Sequence, residues 1–200
     1  MKLVIRHEAR VENEIEHSRF IARVFRVKDE TEAKEKIASV RKTEHQATHN
    51  CYAYVISENK YKSSDDGEPS SSAGFPILKA IQTKNLVECL VVVTRYFGGI
   101  KLGVGGLIRA YSGTASLALD QAKTIQVLTL KKYAFIIDYN LNDVVANYLR
   151  KENVRVVKLD YDLKVNYEVL FRSENEVTKL KNFVNGKITF KGLGNEEVEE

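Results

Sequence analysis

The chain has 200 residues, 44% of them hydrophobic and 29% charged, which suits a folded protein of one domain or two small ones. Its apolar runs fall far short of the roughly 20 residues of a membrane helix, its start MKLVIRHEARVENEIE lacks an apolar signal core, and two cysteines exclude a disulfide framework, so a reduced, cytoplasmic protein with no membrane partner is expected. The net charge of +4 lies wholly in residues 1–127, with 19 basic against 15 acidic residues; residues 128–200 hold 12 of each, a weak pointer to a polyanion.

Residues 2–6 and 20–27 alternate polar and apolar and predict strands. Between them, residues 8–18 are too charged to be a core element. Residues 29–42 predict a helix capped by Asp29 or Thr31, with Ala33, Ile37 and Val40 on one side. CYAYVIS at 51–57 predicts a strand, 58–72 a polar loop, and 73–81 a short helix with Pro76 in its first turn. Ser70, Ser71 and Ser72 read as caps of that helix. ECLVVVT at 88–94 is a β-branched run that predicts a buried strand. A glycine loop at 98–106 follows. Then Leu107, Ile108, Tyr111, Ala115, Ala118, Leu119 and Ala122 lie on one helical face.

Strands are predicted at 124–130 and 133–139, then a helix capped by Asn140. Residues 154–161 and 164–171 form a hairpin about Asp162. Ser173-x-x-Glu176 has capping-box spacing and opens a helix that Gly186 ends, before a last strand at 187–191. The order βαββαβ is the ferredoxin-like pattern. The boundary is placed near residue 130, giving domains 1–130 and 131–200. The acidic tail 192–200 is expected to be mobile.

One stretch, 65–112, differs from the rest. It holds seven of the eleven glycines and both prolines, opens with Asp65, Asp66 and Glu68, and ends with Arg95, Lys101 and Arg109. Backbone N–H groups at a glycine-rich helix start bind anions, so Gly103, Gly105 and Gly106 with Arg95, Lys101 and Arg109 form a candidate phosphate or nucleic-acid site. Tyr96 and Phe97 add aromatic surface for bases. The competing explanation is tight turning and close packing. Val104 and Gly105 replace the Lys and Ser/Thr of a Walker loop, and Ile108 breaks the dinucleotide fingerprint. The three acids suit Mg²⁺, acid–base work or internal pairing with the cations. His45, His49 and Cys51 approach zinc spacing but lack a fourth ligand. No nucleophile elbow surrounds the serines. Cys89, in an apolar strand, reads as buried. No metal and no cofactor is assigned.

These residues resemble the YigZ/Impact family. The resemblance rests on Ser64-Asp65-Asp66-Gly67-Glu68-Pro69-Ser70 and on residues 92–103, VVTRYFGGIKLG. It extends to Gly105-Gly106-Leu107, Arg109-Ala110-Tyr111, Ser18-Arg19-Phe20 and Ala47-x-His49-x-Cys51-x-Ala53-Tyr54. Departures are Ser71-Ser72 in place of Gly-Thr, Phe75 in place of Lys, and Val104 in place of Thr. The resemblance implies an α+β protein: a domain like ribosomal S5 domain 2, then a ferredoxin-like domain, the pair similar to the last domains of elongation factor G. It adds Arg19, His49 and Tyr96 to the motif residues. The eukaryotic relative inhibits a starvation-responsive translational kinase by binding that kinase's ribosome-associated activator. No enzymatic activity is firmly attached to the family. The expectation is therefore a non-enzymatic regulator whose partner is RNA, the ribosome or a translation-associated protein. The alternatives are a metal-dependent enzyme acting on a phosphorylated substrate, for which SSSAG is a faint echo of a metabolite-kinase loop, and a protein-docking module.

Overall fold

The β-branched run builds the centre of the first sheet. In the computed structural model, which describes residues 1–200, it is strand β6 (Cys89–Tyr96), buried along almost its whole length. Both faces of a central strand are covered, so the run needs no polar alternation. Cys89, Val91 and Val93 face one apolar cluster, while Leu90 and Val92 face another. The sheet order is β2-β3-β6-β4-β5, with β2 (Ala9–Ile15), β3 (Ser18–Arg26), β4 (His49–Ser57) and β5 (Lys60–Ser64). All of its neighbours pair antiparallel. Helix α1 (Glu30–Thr43) covers one face through Ala33, Ile37 and Val40. Helices α2 (Gly74–Thr83) and α3 (Gly103–Gln121) cover the other. Strand β1 (Lys2–His7) contributes Ile5 to that second core and bridges Leu3 to Leu86.

Several predicted elements shift. The charged segment 8–18 contains β2. Ala9, Val11 and Ile15 pack inward, while Arg10, Glu12 and Glu14 face out. An edge strand needs only one apolar face, and the charges hid the period of two. The loop 58–72 contains β5, an edge strand with no buried residue and with Lys60, Tyr61 and Lys62 exposed, so no apolar period marks it. Helix α3 starts at Gly103, so Gly105 and Gly106 lie in its first turn rather than in a loop. Ile108 is 39% exposed, and Ala110 and Thr114 take the buried face with Leu107 and Tyr111.

The chain divides into two compact units, Lys2–Gln126 and Val127–Glu200. In the second, the two predicted strands merge into one, β7 (Lys123–Ile137). Then come α4 (Tyr139–Lys151), β8 (Arg155–Tyr161), β9 (Val165–Phe171), α5 (Glu174–Phe183) and β10 (Phe190–Glu199). The strand order is β10-β7-β9-β8. Its core joins Phe135, Val165, Tyr167, Val169 and Phe171 to Val145 and Leu149 of α4 and Leu180 of α5. Asp138, not Asn140, occupies the N-cap position of α4. At α5 neither arm of the capping box forms: Glu176 accepts from the N–H of Arg172, one residue before the cap, at 2.8 Å, and the Ser173 hydroxyl caps nothing.

The acidic tail is a correction. Residues 190–199 form β10, paired antiparallel with β7 from Phe190 opposite Phe135 to Glu199 opposite Val127. A tail of Gly, Asn and Glu has no apolar signature. Cross-strand charge supplies a complement, with Lys132 Nζ 3.4 Å from Glu196 and 3.0 Å from Glu168.

Candidate functional site

Asp65, Asp66 and Glu68 sit on one tight loop but do three different jobs. Asp65 caps α2 from a distance. Its Oδ1 accepts from the N–H groups of Ala73 (3.0 Å) and Gly74 (2.8 Å), and its Oδ2 from that of Ser71 (2.9 Å). The serines expected to cap this helix do not: Ser72 donates instead to the Pro69 carbonyl at 2.6 Å. Asp66 accepts from the Asn50 N–H at 2.7 Å and pairs with Arg41. Left-handed backbone at Asp66 (φ 43°) and Gly67 (φ 92°) turns the chain so that Glu68 points inward.

Glu68 is 8% exposed and organises a buried polar cluster. Its Oε1 accepts from Arg95 Nη1 at 2.8 Å and from the Tyr111 hydroxyl at 2.7 Å. His49 Nε2 lies 3.8 Å from the same oxygen, and its Nδ1 is 2.8 Å from the Asp66 carbonyl. Arg95 also reaches Ser18 Oγ at 3.3 Å and lies over Phe20 and Phe97. Burial pushes the Cys51 thiol up to about 12, and its Sγ donates to the Asp65 carbonyl. Burial likewise raises the Tyr111 hydroxyl far above its ordinary range. Both stay protonated and act as donors.

Arg95 is therefore a correction to the expected phosphate surface. It is 5% exposed and its charge is spent on Glu68. Charges removed from water require partners, and this pair supplies them. Nor do the three acids converge: each already serves a separate donor set, and no group of three or more His, Cys, Asp or Glu side chains is arranged to hold a metal ion. The His49 ring is engaged by Asp66 and Glu68.

The glycines also separate by role. A Cβ on Gly98 would lie 1.8 Å from the His17 carbonyl oxygen, so the β2–β3 turn and the end of β6 meet backbone to backbone. Ser18 Oγ bridges the contact by accepting from Gly98 N–H at 3.2 Å. Gly103 has φ +68° with open space around it. Gly106 packs on Leu102, where a Cβ would meet Leu102 Cβ at 2.9 Å, and Gly105 lies in ordinary contact range of Arg109. Arg19 stacks 4.4 Å above the Tyr96 ring and lies 3.6 Å from Glu12. The Tyr96 hydroxyl donates to Glu44 at 2.6 Å.

Lys101 and Arg109 remain exposed and in no ion pair. They share a cleft of about 410 Å³ with Ile15, Glu16, Ile100 and Gly106. Lys101 and Leu102 also border a second cleft of about 380 Å³, lined by Thr48, His49, Glu68, Arg95, Phe97, Val104 and Leu107. Between the clefts, α3 begins with no side-chain cap and no acid in its first turn. Its free N–H groups face the same region as the two cations.

Residues 16–119, which contain most of the lining of both clefts, match the Impact N-terminal domain. The IMPACT family member YvyE of Bacillus subtilis is 42% identical over 156 residues, 77% of this chain and 72% of that protein. This chain belongs to the IMPACT family. The family member YigZ of Escherichia coli is 34% identical over 155 residues, 76% of each chain. A crystal structure of a hypothetical protein matches with TM-score 0.66 and 30% identity over 98% of both chains. The rabbit Protein IMPACT shares a 62-residue segment at 45% identity, 28% of this chain and 19% of that protein. Among the IMPACT motif positions, Phe75 is 49% exposed beside Lys79, and Val104 is 54% exposed at the mouth of the second cleft. Sequence reasoning missed the roles of Ser18, Thr48 and Tyr111. Ser18 and Tyr111 lie inside the family motifs. Their partners are 43 to 80 residues away, so no local spacing reports them.

Proposed function

We propose that this protein is a non-enzymatic, cytoplasmic RNA- or ribosome-binding regulator acting near translation. Its first unit is read as similar to ribosomal S5 domain 2. The second is read as ferredoxin-like, on its βαββαβ order and its strand order β10-β7-β9-β8. One observation carries the reading: Lys101 and Arg109, both unpaired, flank an uncapped helix start. Phosphate oxygens match two free cations and a set of oriented N–H groups. The residues of the phosphate face are Lys101, Arg109, Gly103, Gly105 and Gly106; Arg95 supports the face from within.

A single-stranded RNA oligonucleotide titrated at low salt tests the reading. Binding is expected to weaken several-fold in Lys101→Ala and in Arg109→Ala, with unfolding curves unchanged. Absence of binding to the intact protein at low salt would overturn it.

Docking of a translation-associated protein is a second reading. It is favoured by the exposed apolar run Phe97, Ile100, Val104 and Ile108 beside the cations. A partner captured equally well after nuclease treatment would favour it over the first.

A further inference from the structure

The second cleft has a feature that phosphate binding does not use. Its buried wall is made of Glu68 and Arg95, 8% and 5% exposed. Every partner of Glu68 meets Oε1, which leaves Oε2 with no hydrogen bond. Arg95 Nε is buried with no acceptor. Buried polar atoms without partners are rare, and each calls for an explanation. Only the nitrogen is a buried orphan; the carboxylate oxygen of the same ion pair is free and reaches solvent, in the wall of an open cleft.

The rest of the lining is mixed: Phe97, Leu102, Val104, Leu107 and Pro69 are apolar, while Thr48, His49 and Lys101 are polar. Phe97 is 47% exposed and its backbone N–H is fixed by Thr48 Oγ1 at 3.0 Å. An exposed aromatic on a fixed backbone offers a stacking face. The volume of about 380 Å³ lies in the range of small-ligand sites. Lys101 stands on the border of both clefts.

From this geometry we infer that the cleft takes one unstacked nucleobase of the bound RNA, with the adjoining phosphate on Lys101. The inference rests on the phosphate-binding reading above. The base lies against Phe97 and Val104 and turns its Watson–Crick edge toward Glu68. Because Arg95 neutralises Glu68, a neutral N–H donor fits the free oxygen better than an ammonium group. Guanine fits best, since its ring N–H and exocyclic amino group are adjacent donors. Uracil fits worst, since its single N–H is flanked by two carbonyl oxygens that a carboxylate repels. Unpaired bases recognised by stacking plus edge bonding are the usual mode for single-stranded RNA.

The test uses the full chain and uridine octamers carrying one central guanosine or none. The guanosine octamer is expected to bind at least about fivefold more tightly, the range of one good base contact. Glu68→Gln is expected to reduce that ratio toward one. Because it weakens a buried pair and risks the fold, Val104→Trp, which fills the cleft from an exposed helical position, is the second variant. It is expected to bring the ratio to one. Equal affinity for the two octamers in the wild type would overturn the base pocket and leave the phosphate reading standing. If neither octamer binds, guanosine monophosphate is compared with uridine monophosphate by amide chemical shifts. Guanosine-selective shifts at Phe97, Val104 and Leu107 would then support the pocket and sink only the RNA reading. Their absence would overturn both.

Discussion

Gly98 shows how one residue fixes the site. A Cβ placed there would come within 1.8 Å of the His17 carbonyl oxygen, which leaves no room for any side chain. Gly98→Ala is expected to cost about 3 kcal/mol or more, because two backbone segments must part. Gly113, in the interior of α3 with nothing near its Cβ position, is the control: Gly113→Ala is expected to gain about 0.5–1 kcal/mol. Urea unfolding of the two variants measures both signs. A second residue-scale effect depends on pH. Burial pushes the Glu44 carboxyl up, but the bonds from Tyr96 and Arg23 outweigh it and hold Glu44 below its ordinary 4.5. The unfolded chain therefore binds this proton first as pH falls. The contribution is full above about 4.5 and is lost as pH drops through the folded value. Glu44→Gln should be less stable than wild type near about pH 6, with a gap that narrows toward about pH 3. A gap in thermal midpoint that is constant across that range would show that Glu44 acts only through its shape.

At the scale of elements, what the sequence made legible was whatever was carried by local period. The β-branched run of β6 and the Asp29 cap of α1 both stand where their residues predict, the latter with Asp29 Oδ1 accepting from Thr31 and Glu32 N–H at 2.7 and 2.9 Å. The amphipathic edge strand β2 was hidden by charge, β5 by its lack of any apolar face, and β10 by its glycines and glutamates. Long-range satisfaction was hidden too. Asp65 looked like a metal or catalytic candidate, but it serves the start of α2 eight and nine residues on. Asp65→Ala leaves three backbone N–H groups without acceptors and is expected to cost about 2–3 kcal/mol. The same loss should appear as faster hydrogen exchange at Ser71, Ala73 and Gly74. Unchanged exchange there would mean that water replaces the carboxylate at no cost.

At the scale of the molecule, the proposed RNA affinity has two competing origins: the diffuse +4 charge, all of it from residues 1–127, and the local pair Lys101 and Arg109. The salt dependence separates them. For single-stranded nucleic acid, the slope of log K against log salt is about −0.7 per phosphate neutralised. If the two unpaired cations dominate, the wild-type slope is about −1.4 and each single alanine variant brings it to about −0.7. Removing one charge from a diffuse field would instead leave a steeper slope nearly unchanged. Lys123, on β7 and outside both clefts, supplies the comparison. Lys123→Ala changes net charge by the same unit as Lys101→Ala. Under the local reading only Lys101→Ala flattens the slope; under the diffuse one the two variants are indistinguishable.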